Sequence, residues 1–342
     1  MNIPWKAVSI CLALPLFAVC AKGADAMRSV MIQSQLDDFS QAAYSKSVES
    51  LFEAYEREDG KKIAPAEKRK VGIKIYTNSG PGISTPIPLV RAVIAELVKR
   101  GYKKQDICIA DLNRLKLRDA GFLPRYVSLL EGVADDFEGS PVIDLDSGKY
   151  FHKDWFYDNP LMPRTLKFDK NYTSQSEIEG RKSYLPVPLF LTVDFWINLP
   201  AVTDIEGLGV NGAIANATIW NMSNSERFIT APANAPIAAA ESAAIPELRD
   251  SLIFTIMPFE TLQYVGGPLF NAAYTMSAKD LILSANPAVL DYIALDHINV
   301  HRARKGFETI SPLPAIFEYA QQLDIGDYQP SKIKRINADK KN

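Results

Sequence analysis

The chain of 342 residues is 47% apolar, carries 38 Lys and Arg against 40 Asp and Glu, and has a formal net charge of -2. That composition suits one large core or two modest ones and is not that of a disordered chain. So neutral a balance leaves no electrostatic footprint for nucleic acid, which is not expected among the partners.

The chain opens on Lys6, an uncharged run from Ala7 to Ala21 whose one polar side chain is Ser9, and the small-x-small site Ala24-Asp25-Ala26. Residues 1–26 therefore read as a secretory signal peptide, with the mature protein periplasmic or extracellular and off the membrane. The alternative is a retained anchor, although the run falls short of the roughly 20 residues a spanning helix needs. Phe17-Ala18-Val19 before Cys20 makes a poor lipobox, which ranks a lipoprotein below plain export. Cys11 and Cys20 leave with the leader, so Cys108 stands alone and no intramolecular disulfide can form. Its setting in the apolar run Asp106 to Ala110 reads as packing rather than as a nucleophile.

Residues 27–70 read as an N-terminal helical extension and linker, with Leu36, Phe39, Ala43, Leu51, Phe52 and Tyr55 at helical spacing and a stop at Gly60. Val71 to Tyr102 then reads as strand, Gly-rich loop and helix, and Asp106 to Asp111 as a second strand, which is the right-handed parallel crossover. Short helices are expected over Asn113 to Ala120 and Leu123 to Val133. The aromatic stretch 136–187 reads as an insertion, either a small subdomain or lid or a decoration. Leu189 to Val202 is expected to be a buried strand, Gly207 to Met222 a helix after a Gly-rich entry, and Ala231 to Ile245 a helix begun near Pro236. Leu252 to Met257 and Asp280 to Leu283 read as strands, Pro287 to Arg304 and Leu313 to Leu323 as helices, and Ser331 to Asn342 as a frayed basic tail.

Three motifs bear on chemistry. Gly207-Leu-Gly-Val-Asn-Gly212 matches the dinucleotide fingerprint, but Thr203 to Glu206 separate it from the strand and place two acids where a pyrophosphate would sit. The loop Ser79-Gly80-Pro81-Gly82-Ile83-Ser84-Thr85 joins a strand's carboxyl end to a helix start, where unpaired N–H groups suit an anion or polar ligand; Ser84 and Thr85 are candidate caps. It lacks a P-loop lysine. His297 and His301 lie one helical turn apart, with Asp291 on the rim of the same face; packed histidines and a metal site both stay open there, without the glutamate of a zincin. No G-x-S-x-G elbow supports a serine hydrolase.

Taken together, the blocks VGIKIYTNSGPGIST, DICIADLNR, FWINLPAVTD, GVNGAIANAT, GGPLFN and ANPAVLDYIALD resemble the bacterial and archaeal proteins grouped as domain-of-unknown-function family 362 (DUF362) over roughly residues 71–306. The resemblance implies an α/β fold and a site shared by Ser84, Thr85, Asp111, Asn113, Arg114, Asn216, Gly266 to Pro268 and Asp291. It brings no established reaction. The iron–sulfur modules of some relatives are not expected here, since one cysteine is left. Ala201 to Ile205, Ala215 and Pro258 stand where relatives carry Lys, His, Lys and Asp, so the polar centre is partly degenerate.

The expectation is an α/β fold, a mostly parallel sheet with helices on both faces, over 71–325, followed by a basic tail over 326–342. Ligands in such sheets gather at strand carboxyl ends. A small polar or anionic molecule is therefore expected at Ser79, Gly80, Gly82, Ser84, Thr85, Asp111, Asn113, Arg114 and Asn216. The alternative is an exported enzyme using Asp111 or Asp204 as acid/base or metal ligand. Cofactor and oligomeric state are left open.

Overall fold

The computed structural model describes residues 29–124, 135–160 and 173–340, so the stretch 1–26 read as a signal peptide and most of the segment Leu123 to Val133 lie outside the described residues. The described residues open with β1 (Val30–Gln35) and α1 (Gln41–Asp59), whose start is capped by the Ser40 hydroxyl and whose end is Gly60 in the left-handed region. Next come β2 (Val71–Ile75), α2 (Ile87–Lys99), β3 (Ile107–Asp111) and α3 (Arg114–Asp119), then β4 (Asp136–Phe137), β5 (Ser140–Asp144), β6 (Phe156–Asp158) and β7 (Lys182–Tyr184). The second half holds β8 (Phe195–Leu199), β9 (Val202–Ile205), β10 (Gly209–Asn211), α4 (Ala213–Ala217), α5 (Ala235–Ala243), β11 (Leu252–Pro258), β12 (Leu262–Gln263) and β13 (Thr275–Met276). It closes with β14 (Asp280–Ser284), α6 (Pro287–Arg304), α7 (Ile316–Gln322) and β15 (Lys334–Asn337).

The fold is mixed α/β, built on a nine-stranded sheet in the order β15-β1-β14-β11-β8-β2-β3-β5-β4. Its centre, β11-β8-β2-β3-β5, is parallel throughout, while β14 and β4 run against it. A four-stranded sheet, β10-β9-β12-β13, and the pair β6-β7 are separate. All five residues of β2 are buried, as befits a strand covered on both sides. Val71, Ile73 and Ile75 enter one apolar cluster with α1 and α2. Across the sheet, Tyr76, Trp196 and Met257 enter a second cluster with residues of α4, α5 and α6. Gly72 is required beneath Trp196, because an added Cβ would lie 2.3 Å from the indole ring.

Several expectations need correction. The segment 27–70 is no mere extension, since β1 lies inside the sheet between β15 and β14. The basic tail contributes β15, parallel to β1. Its largely exposed Lys334 and Arg335 are typical of an edge strand, which is why the segment reads as tail. Because β5 pairs with β3, any aromatic insertion starts beyond Asp144, not at 136. Leu189 to Val202 is not one strand: a helical turn spans Val187–Phe190, β8 follows, and β9 begins at Val202.

In Gly207 to Met222 only the second half is helical, as Ala213–Ala217 and the 3-10 turn Ile219–Asn221. Gly209 pairs with Ile205, so β9 and β10 form a hairpin turning at Gly207, which sits at φ 81. The glycines of the nominal dinucleotide fingerprint thus serve a β-hairpin, and the α-helix is only Ala213–Ala217.

Candidate functional site

One row of side chains crosses the sheet in register: Ala110 faces Lys74, Lys74 faces Asn198, Asn198 faces Thr255, and Thr255 faces Ser284. Residues paired in register point to the same side of a sheet, so Lys74, Asn198, Thr255 and Ser284 form a polar stripe on the face covered by α4 over β2 and β8 and by α6 over β11 and β14. All four are buried, Lys74 completely. A buried polar group is tolerated only when it is hydrogen-bonded.

Lys74 satisfies that condition. Its Nζ donates to Asp111 Oδ1 at 2.7 Å, to the Ile75 carbonyl at 2.6 Å and to Asn216 Oδ1 at 2.9 Å. Three acceptors match the three protons of an ammonium. Burial pulls the Lys74 ammonium below the usual lysine range, and the Asp111 carboxylate opposes that pull. The other Asp111 oxygen accepts the Thr77 N–H at 2.7 Å and the Thr77 hydroxyl at 2.6 Å. Asn216 Nδ2 donates to Asn198 Oδ1, and Asn198 Nδ2 donates to the Ala213 carbonyl and to Thr255 Oγ1. The network thus ties β3, β2, β8, β11 and α4 together.

Above its Asp111 end stands the loop Ser79 to Thr85. The Ser79 hydroxyl shares a 2.7 Å hydrogen bond with Tyr76, whose phenol burial holds above its ordinary range. Thr85 does not cap α2: its hydroxyl accepts the Tyr76 N–H and donates to the Leu199 carbonyl, leaving Pro86 at the N-cap without a side-chain cap bond. Gly80 lies at φ 98, a backbone conformation glycine permits. Gly82 packs against Phe270, from the loop after the second sheet's β12.

An added Cβ at Gly82 would fall 2.2 Å from the Phe270 ring. Gly82→Ala is therefore expected to lower stability by about 1–3 kcal/mol through overpacking, and adding Phe270→Ala to recover part of it. Denaturant unfolding of the three variants checks this, and an additive pair of effects would contradict it.

The loop borders a cleft of about 300 Å³ at the carboxyl ends of β2, β8 and β11. Gly82, Ser84, Ile87, Pro258, Glu260 and Thr261 are among its walls, and Glu260 is the one ionisable group among the described residues that line it. Glu260 accepts a 2.6 Å hydrogen bond from the Tyr44 hydroxyl; burial, and then Glu260 itself, raise the phenol's pKa. Among the described residues no Lys or Arg lines the cleft, and the Glu260 carboxylate opposes an anion there. The N–H groups of Gly80, Ile83 and Thr85 donate to the Thr77, Gly80 and Tyr76 carbonyls, Pro88 has none, and Leu89 and Val90 both donate to the Pro86 carbonyl, which leaves those of Gly82, Ser84 and Ile87 for a ligand.

The sequence candidates divide accordingly. Ser79, Thr85, Asp111 and Asn216 meet around Tyr76 and Lys74, whereas Gly82 and Ser84 face the cleft. Asn113 caps α3 and donates to Asp146, and Arg114 pairs with Asp135 and Asp144. Asp204 belongs to the second sheet, where it accepts from the Gly266 and Gly267 N–H groups and pairs with Arg302 at 3.2 Å; burial raises its carboxyl pKa against those partners. It shares no partner with Asp111.

Asp291 turns away from both histidines. Its carboxylate accepts the Ala213 and Ile214 N–H groups at 2.5 and 3.0 Å, capping α4 from outside, and burial pushes its pKa up to about 7. His297 packs tilted by 36° against Phe259 with ring centroids 4.7 Å apart, and His301 lies 6.1 Å from the Tyr264 ring; burial lowers the His301 pKa. Among the described residues no group of three or more His, Cys, Asp and Glu gathers as a metal site. Cys108 is buried in effect, with its thiol pushed up to about 12, far from a reactive thiolate.

Comparison of the chain with family models, with curated proteins and with solved structures finds no match.

Proposed function

We propose that this protein binds a small polar molecule, neutral or bearing an amine, in the cleft at the carboxyl ends of β2, β8 and β11. The observation that carries the reading is the lining of that cleft: Ser84, Thr261 and Glu260 supply its polar side chains, and among the described residues no Lys or Arg lines it. Of the polar and anionic ligands expected from the sequence, this supports the polar. The resemblance to family 362, export through the leader and a sheet covered by helices on both faces belong to the same reading and rest on the sequence blocks, the leader pattern and the two apolar clusters.

Catalysis by Asp111 is the weaker reading. Its carboxylate is completely buried, with both oxygens held by Lys74 and Thr77, so no substrate reaches it in this conformation. Asp204, fixed by Arg302 and two backbone amides, is likewise engaged.

A thermal-shift comparison of the full chain with ethanolamine, glycerol and inorganic phosphate tests the proposal. Ethanolamine or glycerol is expected to raise the melting temperature. Glu260→Gln keeps an acceptor for Tyr44 but removes the charge, and should weaken ethanolamine about tenfold, the scale of one charge-assisted hydrogen bond. Stabilisation by phosphate alone would sink the reading.

A further inference from the structure

A second cleft, of about 260 Å³, lies at the other end of the nine-stranded sheet, between β1, β14 and β15 and the flank of α6. Its volume is just under the ~300 Å³ at which pockets for drug-sized ligands begin, which suits a metabolite of a few carbons. Met31 and Ile282, both buried, and the half-buried Ile293 give it an apolar surface. Asp280, Asp296, His297 and Arg335 line the same space. Asp280 already accepts a 2.7 Å hydrogen bond from Gln33. Asp296 and Arg335 differ: among the described residues neither side chain has a hydrogen-bond or ion-pair partner, although opposite charges on one cleft would ordinarily close on each other.

Opposite charges held apart around an apolar floor are complementary to a molecule that carries both signs. An amine alone would leave the guanidinium unmet, and a carboxylate alone would be repelled by two aspartates. We propose that this cleft binds a free α-amino acid with an apolar side chain. Its ammonium meets Asp296, its carboxylate meets Arg335, and its side chain lies against Met31, Ile282 and Ile293. The site is separate from the strand-rim cleft and does not depend on it.

Calorimetric titration of the full chain with L-leucine, L-leucinamide and N-acetyl-L-leucine tests the assignment, since leucinamide removes the negative charge at nearly constant size and N-acetylation removes the positive charge while adding an acetyl group. L-leucine is expected to bind, and each derivative to bind at least tenfold more weakly. Arg335→Ala should reduce L-leucine to the level of its amide, and Asp296→Asn should weaken L-leucine at least tenfold. Both side chains are solvent-exposed, so neither change threatens folding. Ser84→Trp, which fills the other cleft, should leave L-leucine binding unchanged. Absence of L-leucine binding at millimolar concentration, or equal binding of either derivative, would overturn the proposal.

Discussion

Lys74→Met is expected to destabilise the protein by about 3–5 kcal/mol, the scale for removing one partner of a buried ion pair. The methionine fills much the same volume, but Asp111 is then left as a fully buried carboxylate without its countercharge, and Asn216 loses a donor. Combining Lys74→Met with Asp111→Asn should recover more than half of the loss, because the amide needs no countercharge and its oxygen still accepts from Thr77. Urea unfolding of the two single variants and the double variant measures the coupling. Additive effects would mean that the pair does not interact as described.

The second large effect is on pH. Burial raises the Asp291 carboxyl from its ordinary 3.8 to about 7, against the opposing pull of the Ala213 and Ile214 N–H groups. Between those values the folded chain holds a proton that the unfolded chain has released. Stability therefore falls as pH rises through that window and levels off above about 7. Asp291→Asn has no proton to lose there. Relative to this variant, the wild type is expected to lose on the order of 2 kcal/mol between pH 5 and pH 7.5, a fraction of the full linkage. Parallel stability curves for the two proteins would contradict the assignment.

The central parallel unit was readable from periodicity. Val71, Ile73 and Ile75 mark β2, Leu89 to Leu97 mark α2, and the run to Asp111 ends β3 where expected. The inner strand β1 and the edge strand β15 were not. β1 is six residues long and is followed after five residues by α1, and β15 is polar because three of its four residues are exposed. Gly207 to Gly212 read as the entry to a helix because left-handed glycines serve a hairpin as well as a helix entry, and only the pairing of Gly209 with Ile205 separates the two.

Asp111 and Asn216 were legible as polar points, but the residue joining them was not. Lys74 occupies an alternate position of a strand, where a lysine ordinarily reaches solvent. The available signal was its neighbours: in a run as apolar as Val71 to Tyr76, with glycine at 72, the second face is also covered, and a lysine on it must be paired. Glu260 carried no local signal at all. It reaches the cleft because β11 and β2, distant in sequence, end on the same rim with β8 between them.

Ligand-observed saturation-transfer NMR on the full chain, with ethanolamine, glycerol and glycolate together, tests the cleft assignment most directly. Saturation is expected on ethanolamine or glycerol and not on glycolate, and should vanish in Ser84→Trp, whose indole fills the cleft. Transfer to glycolate alone, or transfer that persists in Ser84→Trp, would contradict it.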